Sequence, residues 1–231
     1  MMLSVIIPVL NEAPNLERLL PDLRDKCPEA EVIVVDGGST DRTLQVLERF
    51  PFARPVRSPQ GRARQMNAGA HEAQGEILLF LHADTLLPHG ASEAIREALA
   101  DPRIVGGRFD INLESSRLAI QVIAIFMNLR SRLTRIATGD QAIFVRQKIF
   151  AEMGGYPNIP LMEDVEYTKR LKRRGRIASL SLRVTASARK WEEEGVLRTV
   201  FLMWTLRLLY FWRVSPSRLY RLYYGHPPST E

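Results

Sequence analysis

Four groups of residues in this chain have the types and spacing to do chemistry. His82-Ala83-Asp84 follows an unbroken apolar run, 77–81, whose length and composition predict a strand buried on both faces. In an open α/β sheet, ligands sit in the crevice outside the carboxyl ends of the strands, so a carboxylate placed there faces a site. Asp84 suits a hard divalent cation, which prefers carboxylate oxygen and takes phosphate oxygens as further ligands. Asp36 ends a second apolar run, 31–36, and suits a hydrogen bond to a base edge or a ribose. The two are expected to close neighbouring strands and face one crevice; the plainer alternative makes each a turn-forming cap.

Arg62 and Arg64 follow Gly61 in the first turn of a predicted helix. There they can neutralise a diphosphate with help from the helix N-terminus, or form a solvated basic face. Glu163-Asp164 opens a later helix after the loop Gly154-Gly155-Tyr156-Pro157-Asn158-Ile159-Pro160. Adjacent acids are favoured there by the helix dipole alone, and one of them can instead be a general base toward an acceptor hydroxyl.

The elements that must position these residues alternate regularly in the first half. A strand over 3–9 precedes a helix from about 15 to 26, with Leu16, Leu19, Leu20 and Leu23 on one face. The strand 31–36 leads into Gly37-Gly38-Ser39-Thr40-Asp41, where Ser39, Thr40 or Asp41 can cap a helix running to Phe50. A third strand near Pro55-Val56, the helix 61–72 and the strand 77–81 complete a βαβαβαβ pattern, which predicts a parallel doubly wound sheet. Gly37-Gly38-Ser39 departs from Gly-x-Gly-x-x-Gly, which argues against a dehydrogenase. The second half is less regular: a helix over 88–100, strands over 106–113 and 141–145, and an amphipathic helix over 163–174 with Val165 and Leu171 inside. Residues 118–133 begin with an apolar dozen, short of the roughly 20 a bilayer span requires.

Composition narrows the classes. The chain has 231 residues, 45% apolar and 25% charged, long enough for one α/β domain with a small appendage. Its single cysteine, Cys27, excludes an internal disulfide and a cysteine-rich zinc site and fits a reducing, cytoplasmic setting. Residues 1–10 lack a basic segment and contain Pro8, which argues against a signal peptide. A net charge of +6 favours anionic partners: a nucleotide diphosphate, acidic lipid heads or nucleic acid. The basic run Lys169-Arg170-Leu171-Lys172-Arg173-Arg174 reads most simply as a solvated helix face, and no aromatic platform accompanies it, so nucleic acid is not expected. The tail, 196–224, pairs Trp204, Tyr210, Phe211 and Trp212 with bordering arginines. It is expected either to pack on the domain or across a homodimer, or to lie peripherally on a membrane, at the inner face of the cell membrane.

Taken as a set, the motifs resemble family 2 glycosyltransferases, whose fold is GT-A. The resemblance runs through Ser4-Val5-Ile6-Ile7-Pro8-Val9-Leu10-Asn11-Glu12, Val34-Val35-Asp36-Gly37-Gly38-Ser39-Thr40-Asp41, the basic helix ending Asn67-Ala68-Gly69, His82-Ala83-Asp84 and Glu163-Asp164, over about 3–174. His82-Ala83-Asp84-Thr85, Gly139-Asp140-Gln141 and Arg189-Lys190-Trp191 look most like the bacterial subgroup called transferase 2, radical-SAM/selenodomain-associated. The resemblance implies a GT-A-type, mostly parallel doubly wound sheet over 1–195 with an aromatic-rich helical extension over 196–231. It implies an inverting transfer from a UDP- or GDP-sugar, assisted by Mg²⁺ or Mn²⁺, to an acceptor hydroxyl that is lipid-linked or otherwise apolar if the tail meets a membrane. Pro8, Asn11, Glu12, Asp36, Gly38, Arg62, Arg64, Asn67 and Ala83 would bind the donor. Asp84 would hold the metal, with His82 as a further candidate ligand, and Asp164 would be the base. Asp140, Gln141, Glu163, Arg189 and Trp191 would lie on the acceptor side. One departure stands out, since His82 replaces the first aspartate of the family's Asp-x-Asp. A sugar-phosphate nucleotidyltransferase shares the sheet plan but would carry a Gly-rich, Arg-containing loop where Pro8-Val9-Leu10-Asn11-Glu12 stands. A non-catalytic membrane-surface or nucleic-acid-binding module is the remaining alternative.

Overall fold

A computed structural model describes residues 1–227. Its sheet is built from β1 (Leu3–Val9), β2 (Glu31–Asp36), β3 (Ala53–Arg57), β4 (Ile77–Phe80), β5 (Thr85–Leu86), β6 (Ile104–Glu114), β7 (Ile143–Arg146) and β8 (Arg176–Ser187). The spatial order is β3-β2-β1-β4-β7-β6-β8-β5. The β3-β2-β1-β4 half is parallel throughout, as the alternating pattern predicts. β7 then runs antiparallel between β4 and β6, β8 pairs parallel with β6, and β5 closes the edge antiparallel to β8. The sheet is therefore mixed and mostly parallel.

Apolar runs make both faces of the central strands buried. Val5 and Ile7 of β1 join a core under α1 (Ala13–Lys26), α2 (Thr43–Glu48), α4 (Ala91–Ala98) and α5 (Leu118–Thr134). Ile6 points the other way, into a core shared with α3 (Arg62–Glu72), α6 (Gln147–Glu152) and α7 (Glu163–Leu171). A short α8 (Arg189–Glu193) leads to α9 (Val196–Phe211) and α10 (Pro216–Tyr224). These last two pack through Leu202, Leu206, Leu209 and Leu219 onto Leu161, Met162 and Val165, the segment that opens α7.

Two expectations need correction, and one strand went unread. β1 lies between β2 and β4, so Asp36 and Asp84 close strands that flank a common neighbour rather than each other. The helices at 88–100 and 163–174 are shorter, Ala91–Ala98 and Glu163–Leu171. The run 176–187, with exposed Arg176 and Arg183, lacks the apolar pattern of a buried strand, yet it forms the long β8 because β6 offers it a partner.

Candidate active site

The donor side starts at the carboxyl ends of β1 and β2. Asn11 sits at φ 56°, a left-handed conformation that asparagine tolerates, and turns its amide toward the β2 loop. Its N–H donates to Ser39 Oγ at 2.8 Å, and its Oδ1 accepts from the N–H groups of Thr40 (2.8 Å) and Asp41 (3.3 Å). Glu12 accepts from Asn15 Nδ2 at 2.5 Å, and its own N–H donates to Thr43 Oγ1 at 2.9 Å. Asp36 is buried and accepts from the N–H groups of Gly38 (3.1 Å) and Ser39 (3.0 Å), closing its own turn as the plainer alternative holds. Ser39 and Thr40 bond to Asn11 rather than capping α2, and Asp41 Oδ1 takes the Thr43 N–H at 2.9 Å. Pro8 pairs beside Val35 in the sheet, and Gly38 lies open to solvent on the loop crest.

A residue that the motif reading passed over locks this shelf. Gln65, buried on α3, donates through Nε2 to the carbonyls of Val9 and Val35, both at 2.8 Å. It ties the last turns of β1 and β2 together beneath the loops.

Arg62 is exposed at the start of α3 and lies within the fields of Glu163, Asp140, Tyr223 and Tyr224. Desolvation opposes its charge, the tyrosines and acids outweigh it, and the guanidinium is held above its ordinary value. Arg64 turns toward the loop before α7, its Nε donating to Asn158 Oδ1 at 3.2 Å. Asn67 is a staple: Nδ2 donates to the Tyr156 carbonyl (2.9 Å) and Oδ1 accepts the Tyr156 N–H (2.8 Å). Gly155 beside it has φ +69°, and a Cβ there would stand 2.5 Å from Asn67 Oδ1, so only glycine fits. Tyr156 then stacks on Tyr167 of α7 (4.2 Å between centroids) and meets Phe80 of β4 edge-on (4.9 Å). This block fixes α7 against the end of β4.

The candidate reaction centre lies where these elements meet. Asp84 is exposed, with Thr85 Oγ1 donating to its Oδ1 at 3.3 Å, while Ala83 is buried in the core. His82 Nδ1 pairs with Asp140 Oδ1 at 3.3 Å, and a Cβ on Gly139 would fall 2.4 Å from His82 Nε2. Both imidazole nitrogens thus face the Gly139-Asp140 turn. Desolvation opposes charge on each partner, but the pairing prevails: His82 titrates above and Asp140 below its ordinary value. The Gly139 N–H donates to Asp164 Oδ2 (2.9 Å) and the Val165 N–H to Oδ1 (2.6 Å), which orients the carboxylate. Met162 enters α7 at φ 68°, backbone strain at the residue that sets both acids. Glu163 is buried, and desolvation followed by the Asp164 charge pushes its carboxyl up to about 7.

On the acceptor side the placement is uneven. Gln141 is buried and serves the Gly139–Gln141 turn, its Oε1 accepting the Thr138 N–H at 3.3 Å. Arg189 is exposed, and Trp191 packs against the main core. Between them Lys190, which the motif reading did not single out, caps the Tyr223 ring at 3.7 Å and lies in the field of Asp140 and Arg62. Two arginines from separate helices also reach the site. Arg130 of α5 and Arg207 of α9 interact electrostatically with each other and with Asp164 and Asp140. Desolvation, then Arg207, pushes Arg130 down to about 10. The only sequence signal for these two was an arginine interrupting each apolar helix.

Among the described residues, no three His, Cys, Asp or Glu side chains converge to cage an ion. Asp84 offers an open hard-oxygen donor, which fits a divalent ion whose other ligands come from a bound diphosphate.

The mixed sheet, with loops of β1, β2 and β4 framing one crevice, defines a GT-A glycosyltransferase fold. Among solved structures, it matches Staphylococcus aureus TarS in complex with UDP-GlcNAc at TM-score 0.66 and 23% identity, over 81% of this chain and 58% of that one. It matches the mannosyltransferase PcManGT from Pyrobaculum calidifontis, in complex with GDP-Man and Mn²⁺, at TM-score 0.62 and 23% identity, over 79% and 56%. The glycosyltransferase AglE of Haloferax volcanii is 31% identical over 185 residues, 72% of this chain and 60% of that protein. A PGL/p-HBAD biosynthesis glycosyltransferase of Mycobacterium bovis is 41% identical over 93 residues, 37% of this chain and 36% of that protein. Glycosyl transferase family 2 matches residues 4–154, and the chain belongs to that family. It spans 60% or less of the length of these two relatives.

Proposed function

We propose that this chain is an inverting glycosyltransferase that moves a sugar from a nucleotide-diphosphate donor to an acceptor hydroxyl. The observation that carries the reading is the position of Asp164. Two backbone amides orient its carboxylate, and the Tyr156 block sets it across the crevice from the shelf formed by Asn11, Asp36 and Ser39. Asp164 takes the acceptor proton as the oxygen attacks the anomeric carbon, and the diphosphate leaves on the opposite face. A single displacement inverts that carbon.

Pro8, Asn11, Glu12, Asp36 and Gly38 line the shelf for base and ribose, with Gln65 holding its shape. Arg62 meets the diphosphate, supported by its place among Glu163, Asp140 and the α10 tyrosines. Asp84 would hold Mg²⁺ or Mn²⁺ with the donor's phosphate oxygens, and that ion would offset charge on the departing diphosphate. The UDP-GlcNAc and GDP-Man complexes of the solved relatives support a donor of this class. Asp140 and Glu163 shape the acceptor side, with Arg189 and Trp191 at its margin. The His82-Ala83-Asp84-Thr85, Gly139-Asp140-Gln141 and Arg189-Lys190-Trp191 segments support placement in the transferase 2, radical-SAM/selenodomain-associated subgroup. Residues 196–231 are then an extension of the 1–195 transferase domain, and Cys27 as sole cysteine supports a cytoplasmic setting. A thermal-shift screen of UDP- and GDP-sugars with and without Mn²⁺ tests the reading. Metal-dependent stabilisation by one donor is expected, and none by any donor would overturn it.

A further inference from the structure

Two helices that flank the acceptor side leave an apolar face uncovered. On α5, Leu118, Val122, Ile125, Phe126, Leu129 and Leu133 are exposed, and their spacing puts them on one side of the helix. On α9, Leu197, Phe201, Trp204, Leu208 and Phe211 form a second stripe, continued by Trp212 just beyond the helix. Phe126 is 62% exposed, Phe201 76% and Trp204 74%. The opposite faces are the packed ones, through Ile120 and Ala124 on α5 and Leu206 on α9. The two helices adjoin. Ile136, just past α5, packs in the same cluster as Leu202 and Leu206, and Arg130 and Arg207 interact beside Asp164. No helix among the described residues is long and apolar enough to cross a membrane.

The charge around the stripes selects their occupant. Residues 115–139 and 195–227 contain no aspartate, glutamate or lysine; their charged residues are Arg117, Arg130, Arg132, Arg135, Arg198, Arg207, Arg213, Arg218 and Arg221. Of these, Arg132 is paired with Asp110, while Arg117, Arg198, Arg213, Arg218 and Arg221 are exposed. Apart from the exposed Glu192, Glu193 and Glu194 just before α9, a second copy joined through these faces by a two-fold axis would set arginine against arginine. An anionic lipid surface satisfies both features at once, since its headgroups meet the guanidinium border while the aromatic and aliphatic stripe enters the acyl boundary.

We propose that the apolar faces of α5 and α9 together dock this protein on an anionic bilayer. An amphiphilic acceptor anchored in that bilayer would reach Asp164 between the two helices, a consequence that rests on the transferase reading.

Flotation of the full chain with vesicles of phosphatidylcholine, alone or mixed with phosphatidylglycerol, tests the docking. Binding is expected to the mixed vesicles, weakening as salt rises. Phe126→Ser and Trp204→Ser, each altering an exposed side chain, should leave thermal unfolding unchanged and weaken binding by about tenfold or more apiece. Failure to float at low salt, or equal binding to pure phosphatidylcholine, overturns the proposal. A lipid-free dimer in light scattering that both variants dissolve would instead make the stripes a self-interface. An effect of Trp204→Ser without one of Phe126→Ser would remove α5 from the docking face. Calorimetry of UDP and GDP with Mn²⁺, done without vesicles, is read separately. Loss of nucleotide binding there would strike the transferase reading and leave the docking result standing.

Discussion

On one side of the cleft, the shelf is made chiefly by loops that directly follow adjacent strands, with Gln65 of α3 beneath them: Asn11 reaches Ser39, and Asp36 folds back on Gly38. On the acceptor side, Asp164 meets the amide of Gly139, while Arg130 and Arg207 arrive from helices that precede and follow it by tens of residues. The donor side resembles a moulding in which local turn chemistry and sheet register define the shape. The acceptor side is an assembly, correct only when α5, α7 and α9 have all docked. The difference suits the proposed task, in which one shelf fits a common class of donor while the opposite wall is free to be rebuilt for a particular acceptor.

Four measurements break or sharpen this contrast. The largest effect is expected from Asp164→Asn, which removes the proposed base while keeping shape. Transfer should fall by about 10²- to 10⁴-fold with donor affinity retained, and unchanged turnover would move the base to another acid, Glu163 first. Asp84→Ala should weaken Mn²⁺-dependent binding of a nucleoside diphosphate by roughly 100-fold, at the upper end of what outer ligand partners alone contribute. The side chain is exposed, so the melting temperature should hold, and unaltered affinity by calorimetry would take Asp84 out of the metal role.

Gln65→Leu attacks the moulding itself. It removes the amide that Val9 and Val35 share, leaving the Val9 carbonyl only its bond from the Gly37 N–H, and urea denaturation should show a loss of about 1–3 kcal/mol. A neutral result would mean the shelf is held by its loops alone. The effect of Glu163→Gln depends on pH and vanishes in acid. The folded carboxyl is pushed up to about 7 from an ordinary 4.5, so in that window the folded state holds a proton that the unfolded chain has released. Wild-type stability therefore falls as pH rises through the window, on the order of 1 kcal/mol per pH unit, and levels off above it. The variant should match wild type in acid and exceed it increasingly toward neutral pH. A difference that ignores pH would show that Glu163 is not held neutral.

Legibility in the sequence followed the same divide. The order and type of the elements from β1 to β4 could be read because buried parallel strands are written as unbroken apolar runs between helical periods. Asn11, Asp36, Asp84 and the Glu163-Asp164 pair could be picked out because strand ends and helix starts are marked by local residues. The same reading did not foresee the internal bonds of Asn67 and Gln141, and it passed over Gln65, whose two acceptors lie 56 and 30 residues away.

The amino-acid sequence by itself determined that a parallel α/β core would present carboxylates at a crevice, since hydrophobic periodicity and turn residues act over a few neighbours. Tertiary structure alone decided that β1 would separate Asp36 from Asp84, that β7 would enter antiparallel beside β4, and that His82 would turn to Asp140. It also decided that α9 and α10 would cover the start of α7 and bring Arg207 toward Asp164 while leaving an aromatic face outward. These outcomes depend on which distant surfaces bury each other, and pairing between remote segments leaves no periodic trace in either one.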